Sequence, residues 1–380
     1  MTRSRLAERI ARRIRAEGPL SVAAYMAMAL HDPELGYYAR RRPIGAAGDF
    51  VTAPEISQVF GELLGVWCAL IWERLDCPDP VVLAELGPGR GTLAADLLRA
   101  AAVLPQFRRA LRLHLIETSA PLRAEQKSRL AAADPAPVWL DRVEDLPGGP
   151  LILVANEFLD ALPIRQLVRA EEHWAERMVA LDQDGRLVFA RGPESPVVDL
   201  LVPRTLRRAA PPGAIFEIAP AALALAKALG ARLKLVPGAA LFVDYGDAAS
   251  WSGLPGPGPS GSGPSLRGVR DHRPVDVLDA PGTADLSADV DFAAFLEEAR
   301  AAGAETWGPV LQRSFLQTLG ISARLGRLAA GASAATRRQL ESGVARLLDP
   351  AQMGCRFKAA ALISPGLGVP AGFDLAEVRQ

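Results

Sequence analysis

The residues best suited to chemistry in this chain lie in a short glycine-rich segment, ELGPGRGT, at positions 85–92. Glycine permits positive φ angles and lets a ligand approach the backbone where a Cβ would block it. An apolar run precedes the segment and a helix-forming stretch follows it, so we expect a strand, a tight turn and a helix N-terminus with free N–H donors. The first candidates for cofactor binding are therefore Glu85, Gly87, Gly89, Gly91 and Thr92.

The spacing of the glycines distinguishes between cofactors. A dinucleotide-binding fingerprint has glycine at its first, third and sixth positions, but the sixth position counted from Gly87 is Thr92. A phosphate-binding P-loop ends in Gly-Lys-Ser/Thr, and no lysine lies nearby. The acidic-x-Gly-x-Gly-x-Gly pattern resembles the first motif of class I S-adenosylmethionine (SAM) methyltransferases; a purely structural strand-to-helix turn is the alternative.

A second predicted strand, over RALRLHLIE, ends in Glu117. In a doubly wound sheet a carboxylate at this strand end accepts hydrogen bonds from both ribose hydroxyls of a bound nucleoside. The interval from Gly87 to Glu117 is longer than the usual ~20 residues, and a long helix over 92–110 would explain the difference. We expect Glu117 to bind the ribose, with Thr118 beside it; a surface glutamate at a strand end is the alternative.

A third group of polar residues follows the apolar run LILVA at 151–155. Asn156, Glu157 and Asp160 come where a buried parallel strand should open into the site. Class I enzymes that methylate nitrogen usually have Asn, Asp or Glu here, so all three are catalytic candidates, and Asn156 is also a cofactor-binding candidate. The alternative is structural: Asn156 as a helix cap and Asp160 as a turn residue.

The segment GDFVTAPEISQVFGELL, from residue 48, extends these patterns toward the N-terminus. Thr52 and Glu55 have capping-box spacing, and the apolar residues that follow predict one long core helix. Together with ELGPGRGTL and NEFLDALP, this segment resembles the MidA-like family of methyltransferases, over roughly residues 20–365. The resemblance adds further cofactor-binding candidates: Gly48, Asp49, Phe50, Thr52 and Glu62.

The resemblance also implies a substrate, because mitochondrial members of this family are assembly factors for respiratory complex I. It implies N-methylation of an arginine in a protein, most directly a core subunit of that NADH dehydrogenase. A guanidinium has a pKa above 12 and no free lone pair at neutral pH. Carboxylates that grip two of its nitrogens would leave the third nucleophilic, and Glu157 and Asp160 are the nearest candidates.

The segment SLRGVRDHRPVDVLDAPGTADLSADVDF also resembles a family segment. Its polar candidates are Arg267, His272, Asp285 and Asp291. We include His272 among the catalytic candidates; a structural or solvent-exposed histidine is the alternative.

The predicted fold is α/β, with a Rossmann-like class I methyltransferase sheet, an N-terminal helical region and an inserted and C-terminal substrate subdomain. Residues 1–75 are expected to cover the cofactor site, and residues 76–164 and 233–247 to form the SAM-binding core. Residues 165–232 are an insertion with a β-hairpin around Asp184-Gly185. Residues 248–290 contain a Gly/Pro/Ser-rich loop, expected to be mobile, and an active-site segment. Residues 291–380 should form helices around 291–302, 309–328 and 335–348 and return a last strand to the sheet.

Composition excludes several classes of protein. Lys+Arg and Asp+Glu both number 43, so no nucleic-acid partner is expected. Three cysteines without a CxxC pair argue against a disulfide framework or a zinc site, and we expect no metal. No apolar run reaches the ~18 residues needed to span a membrane, so we expect no membrane insertion. The Arg-rich start contains Glu8 and Glu17, which favours an amphipathic helix over a transit peptide.

The expected location is the cytoplasm of a bacterium, or the mitochondrial matrix if the source is eukaryotic. The oligomeric state stays open, a homodimer included. Three other functions also stay open: a small-molecule methyltransferase, a SAM-binding assembly scaffold without catalysis, and an NAD-dependent oxidoreductase, which the glycine spacing disfavours.

Overall fold

The N-terminal part of the chain is mostly helical, in a computed structural model that describes residues 4–40, 52–247 and 264–373. Ser4 and Ser21 begin the first two helices by accepting hydrogen bonds from the backbone N–H groups of Ala7 and Ala24, both at 3.1 Å. The elements are α1 (Arg5–Glu17), β1 (Leu20–Ser21), α2 (Val22–His31), α3 (Tyr37–Arg40), α4 (Ala53–Ile56) and α5 (Gln58–Arg74).

The prediction of one long helix beginning at Thr52 is wrong, because Ser57 interrupts it. Ser57 is extended (φ −154°, ψ 124°), and its hydroxyl accepts the Val59 N–H at 3.3 Å to begin α5. Thr52 makes no side-chain cap hydrogen bond. The Glu55 carboxylate, expected to complete a capping box, instead accepts hydrogen bonds from Thr92 and from Arg90 (3.3 Å). Arg90, a charged partner outside the helix, thus binds the carboxylate that the capping box would have used.

The middle of the chain alternates strands and helices, as predicted. The predicted helix over 92–110 is two helices, because the chain turns at 102–104 and Pro105 begins a new helix. The elements are β2 (Val81–Leu86), α6 (Thr92–Ala101), α7 (Pro105–Ala110), β3 (Leu111–Ile116), α8 (Ala120–Arg129), β4 (Val138–Leu140) and β5 (Leu151–Asn156).

A separate antiparallel sheet follows β5. The predicted hairpin is confirmed: the strands on either side of Gly185 (φ 72°) pair with each other, with Leu181 opposite Leu187. The short strand β1 joins the same sheet through Leu20 opposite Val179. The elements are β6 (Arg165–Arg169), β7 (Trp174–Leu181), β8 (Leu187–Glu194), α9 (Pro196–Asp199) and β9 (Ile215–Ile218), followed by α10 (Pro220–Leu235) and β10 (Gly238–Asp247) of the main sheet.

The C-terminal part contains the predicted helices over 291–302 and 335–348, but the helix predicted over 309–328 is wrong. Its first residues belong to a strand, and two helices follow. The elements are β11 (Arg267–Arg270), β12 (Arg273–Val275), β13 (Asp285–Ser287), β14 (Val290–Asp291), α11 (Phe292–Ala302), β15 (Glu305–Leu311), α12 (Gln312–Thr318), α13 (Ile321–Ala330), α14 (Ala334–Leu348) and β16 (Phe357–Ile363). Most of the predicted mobile loop, residues 248–263, lies outside the described residues.

The main sheet has the order β15-β16-β10-β5-β2-β3-β4, and β14 pairs with the end of β10. Strands β4, β3, β2, β5 and β10 are parallel, and β16 runs antiparallel to both of its neighbours. Alternate residues of β2 enter two cores: Leu83 packs with α5 and α6, whereas Val82 and Ala84 pack on the side of α10 and α11. The predicted α/β fold with a Rossmann-like sheet is confirmed.

Within the ranges described, no helix combines the length and apolar character needed to cross a membrane.

Candidate active site

A cavity of about 380 Å³ lies where β2, β3 and β5 end. This volume is in the range of small-molecule sites, and the carboxyl ends of parallel strands are where α/β sheets bind ligands. Residues from the three strand ends line the cavity together with His31 and Tyr38 from the N-terminal region; the predicted candidates among them are Gly87, Gly89, Glu117, Thr118 and Glu157.

The glycine turn has the backbone that its sequence predicts. Gly87, Gly89 and Gly91 have φ angles of 58°, 53° and 78°. A Cβ on Gly87 would lie 2.8 Å from Cδ2 of Phe158, across the cavity wall. Gly91 is the residue before α6 and lines neither the main cavity nor its smaller neighbour. Gly87 and Gly89 thus line the cavity, and Gly91 begins the helix.

A smaller adjoining space of about 50 Å³ is lined by four more candidates: Thr52, Glu85, Thr92 and Asn156. Burial, and the neighbouring carboxylate of Asp96, raise the pKa of Glu85 to about 8. Oε2 of Glu85 and Oδ1 of Asn156 are buried and have no hydrogen-bond donor within the described part of the chain. Two buried polar groups at this edge of the cavity thus lack a hydrogen-bond partner among the described residues.

Glu117 is held at the end of β3 by donors on both oxygens. Oε1 accepts the Ser119 N–H at 2.7 Å, and Oε2 accepts Nε2 of Gln126 at 3.2 Å. The same Gln126 nitrogen donates to the Gly89 carbonyl at 2.7 Å, which ties the carboxylate to the glycine turn. Burial raises the pKa of Glu117. A fixed carboxylate beside a Cβ-free turn fits a nucleoside ribose, so these residues fit a SAM-like cofactor.

Glu157 lies at the opposite wall, in both the main cavity and the smaller space. Its φ of 50° is left-handed, which turns the chain sharply at the end of β5. Oε1 accepts the Ala53 N–H and Nδ2 of Asn156, both at 3.1 Å. Burial, with Asp160 as the next cause, raises the pKa of Glu157 to about 8. Among the described residues, no lysine or arginine forms an ion pair with it.

Asp160 lies on the same turn but outside both cavity walls, and it is 8% exposed. Burial raises its pKa to about 6, while the Tyr245 hydroxyl and the Arg267 guanidinium oppose that shift. Oδ1 of Asp160 has no donor at hydrogen-bond distance in the described ranges. Asp160 therefore adds negative charge behind Glu157 without closing the site.

Asp244, in β10, positions this turn, and the sequence analysis missed it. Its Oδ2 accepts the backbone N–H groups of Phe158 (3.1 Å), Leu159 (2.9 Å) and Asp160 (3.3 Å). Burial, then the charges of Asp160 and Glu157, raise its pKa well above the ordinary range. The feature of the sequence that points to a role for Asp244 is an acidic residue inside the otherwise apolar run ALFVDY.

Tyr38 was also missed as a site residue. It lines the cavity, and its hydroxyl donates to Oδ1 of the predicted polar candidate Asp285 at 3.3 Å. The aromatic pair at 37–38 gave no sign of this contact, because Asp285 is far away in the chain.

Several predicted candidates are not brought to the cavity. Glu62, 1% exposed, accepts hydrogen bonds from Arg99 (2.8 Å), Arg324 (2.6 Å) and Gln58 (2.9 Å), and lines neither space. Its carboxylate is thus used to join α5, α6 and α13. Gly48, Asp49 and Phe50 lie outside the described residues.

The candidates of the 265–292 segment lie in different places in the structure and do not form one site. His272 is exposed, at φ 60°, in the turn between β11 and β12, and lines neither space, so the geometry does not support its catalytic assignment. Asp291 caps α11 by accepting the Ala294 N–H at 2.9 Å. Arg267 pairs with Asp289 and stacks 4.8 Å from the Tyr245 ring. The described ranges contain no group of three or more side chains suited to a metal ion.

Comparison with known proteins gives consistent matches across the chain. The family described as "Putative S-adenosyl-L-methionine-dependent methyltransferase" matches residues 63–310. The mitochondrial protein arginine methyltransferase NDUFAF7 of Danio rerio is 36% identical over 377 residues, which cover 92% of this chain and 84% of the relative. The Homo sapiens protein of the same name is 34% identical over 379 residues, covering 92% and 81%.

A solved structure is similar over nearly the whole molecule. A Burkholderia thailandensis protein, crystallised with S-adenosyl-homocysteine, has a TM-score of 0.81 and 30% identity, and the match covers 97% of this chain and 93% of the other. That ligand is what remains of SAM after methyl transfer, so the cofactor follows from the relative as well as from the cavity. Since sequence, fold and cofactor agree, this chain belongs to the MidA-like family of SAM-dependent methyltransferases.

Proposed function

We propose that this protein transfers a methyl group from SAM to an arginine side chain of another protein. The observation that carries the proposal is Glu157: a buried carboxylate in the cavity wall that no cation of the described chain neutralises. Asp160 and Asp244 add two more carboxylates behind it. Buried carboxylates in excess are costly unless a cation pairs with them, and a guanidinium is a planar cation that binds carboxylates through two hydrogen bonds.

The cofactor contacts follow from the two walls of the cavity. Glu117 would bind the ribose hydroxyls, and the backbone at Gly87 and Gly89 would lie against the cofactor. The free acceptors on Glu85 and Asn156 would receive polar hydrogens at the smaller space. SAM supplies an electrophilic methyl group on a sulfonium.

Glu157 would hold the acceptor guanidinium in the reactive orientation. The Asn156 amide and the Ala53 N–H bind one carboxylate oxygen and leave the other for the substrate. A cation at this position lowers the pKa of Glu157, so that binding of arginine favours the ionised form. As the nitrogen–carbon bond forms and the carbon–sulfur bond breaks, that nitrogen loses a proton. Glu157, ionised when the cation is bound, lies in the cavity wall and would accept that proton.

The proposed acceptor is a core subunit of respiratory complex I during assembly, a choice that rests on the family resemblance. The corresponding location is the bacterial cytoplasm or the mitochondrial matrix. A small-molecule acceptor is the competing possibility.

The test combines a variant with mass spectrometry. Purified protein and labelled SAM would be incubated with unassembled complex I core subunits, and the same subunits would be analysed from cells with and without this protein. Glu157→Gln should keep SAM binding while transfer falls by about two decades or more, or ~3 kcal/mol of transition-state stabilisation. Glu73→Gln, an exposed glutamate on α5, is the matched control. An arginine methylated equally in both cell types, or a small molecule methylated instead, contradicts the proposal.

A further inference from the structure

Tyr38 connects the cofactor end of the cavity to its acceptor end. Its backbone carbonyl accepts the Ser119 hydroxyl at 2.8 Å, two residues after the ribose candidate Glu117. Its own hydroxyl donates to Asp285 at 3.3 Å. Between these two contacts the residue lines the cavity, as Glu157 does. One residue of the N-terminal region is thus held through its backbone by Ser119 and through its side chain by Asp285.

Neighbouring aromatic rings hold the Tyr38 ring in place. The His31 ring stacks on it with centroids 5.5 Å apart and an interplanar angle of 25°. Tyr37 meets it edge-on, at 5.3 Å and 73°. Because His31 also lines the cavity, the two rings form one aromatic wall.

The charges around this wall suit a flat cation. Asp285 accepts the hydroxyl of Tyr38, whose ring lines the cavity, and it also raises the pKa of both Tyr38 and Glu157, so its carboxylate lies behind the ring. The buried hydroxyl stays protonated and donates to Asp285. Aromatic faces attract cations, and the planar guanidinium stacks on them better than an ammonium does.

We propose that Tyr38 determines acceptor specificity, with its ring holding the arginine guanidinium flat while Glu157, and Asp285 behind the ring, supply the negative charge. This inference rests on the proposed function, because it assumes an arginine acceptor. It assigns to the N-terminal region a direct part in choosing arginine over lysine.

The test measures binding of two small probes in the presence of S-adenosylhomocysteine. N-acetyl-L-arginine amide and its lysine counterpart would be titrated by ligand-observed NMR against wild type, Tyr38→Leu, Tyr38→Phe and Asp285→Asn. Asp279→Asn removes an exposed carboxylate from the same segment and is the control. Calorimetry with S-adenosylhomocysteine reports whether the cofactor site is intact in each variant.

Tyr38→Leu should weaken the arginine probe about tenfold or more and abolish the preference over lysine, with S-adenosylhomocysteine affinity within about twofold of wild type. Tyr38→Phe and Asp285→Asn, which loosen the ring without removing it, should have intermediate effects. If Tyr38→Leu fails to bind S-adenosylhomocysteine, these two milder variants decide.

Arginine binding equal to wild type in the variants that retain the cofactor site would overturn the inference, as would a wild-type protein that does not bind the arginine probe. The mass-spectrometric test of acceptor methylation is separate. Tyr38-dependent binding of the arginine probe without any methylated protein arginine rejects the proposed function and leaves only the binding of a guanidinium by Tyr38. Methylation of a protein arginine that is unchanged in all Tyr38 variants supports the proposed function and rejects this inference.

Discussion

The Asp244 carboxylate accepts the Leu159 backbone N–H at 2.9 Å, and the same oxygen accepts the N–H groups on either side of it. One side chain of β10 therefore holds the turn after β5. That turn begins at Glu157, whose backbone is left-handed. Because the two strands are neighbours in the sheet, the position of the Glu157 carboxylate depends on β10 as much as on its own strand.

Replacing Asp244 with asparagine should impair transfer more than cofactor binding. The amide keeps the size of the side chain, but its NH2 group replaces one of two oxygens that both accept backbone N–H groups, Oδ2 from this turn and Oδ1 from Tyr245, so the turn at Glu157 loses its fixed geometry. We expect kcat to fall by about 10- to 100-fold, and unfolding free energy to fall by ~1–3 kcal/mol. Turnover assays, calorimetry with SAM and urea denaturation measure the three effects, with exposed Asp134→Asn as control. Unchanged kcat would mean that Asp244 does not position the turn.

Replacing Gly87 with alanine should weaken cofactor binding. The new Cβ would approach the Phe158 ring to 2.8 Å, and a φ of 58° is unfavourable for alanine. A loss of SAM affinity of about tenfold or more is expected, measured by calorimetry. Gly148→Ala is the control, since nothing lies within 4 Å of its added Cβ. Equal affinities in the two variants would contradict the role given to the turn.

Replacing Glu62 with glutamine should destabilise the fold and leave SAM affinity unchanged. The substitution removes the buried charge that pairs with both Arg99 and Arg324. Because these two arginines are partly exposed and can still reach water, we expect a loss of only ~1–3 kcal/mol in unfolding free energy. Denaturant titration and calorimetry on the same sample separate this from a cofactor role. Reduced SAM affinity at unchanged stability would restore the sequence-based assignment.

The unfolding free energy of the ligand-free protein should fall as the pH rises from about 5 to 8. Burial raises the pKa of Glu85 and Glu157 to about 8, of Asp96 to about 7 and of Asp160 to about 6. In the unfolded chain these groups titrate near 4, so over this window the folded state binds more protons and stability decreases with pH.

A melting-temperature series over this pH window measures the effect, which we expect to be several degrees. Asp96→Asn should flatten the curve, because it removes one buried carboxylate and relieves Glu85. A melting temperature that rises steadily from pH 5 to 8 would show that these carboxylates are ionised in the folded protein.

Local patterns predicted the parts of the fold that local forces determine. The alternation of apolar strands with helices gave β2, β3, β5 and β10, and the glycine spacing gave the positive φ angles of the turn. The roles of Glu117, Glu157 and Asp160 stay predictions, although the structure brings Glu117 and Glu157 into one cavity and Asp160 directly behind it.

Features that depend on distant residues were not predictable. The strand β15 contains Gly308-Pro309, where the helix predicted over 309–328 was expected to begin, but a bulge between Trp307 and Val310 takes the proline out of the ladder with β16. Glu62 became a candidate through the family resemblance, and only the packing of α6 and α13 against α5 shows that Arg99 and Arg324 are its partners. His272 is in a tight turn whose direction the sequence does not indicate.

The position of β16 between β10 and β15 also determines when the protein can finish folding. During synthesis β10 and β15 emerge before β16, and until then each has an unpaired edge of backbone N–H and C=O groups. Chains that stop short of residue 357 lack the strand that joins them, and such open apolar edges promote aggregation. A ribosome therefore has to release the chain as far as β16 before the sheet that carries the cofactor site is complete.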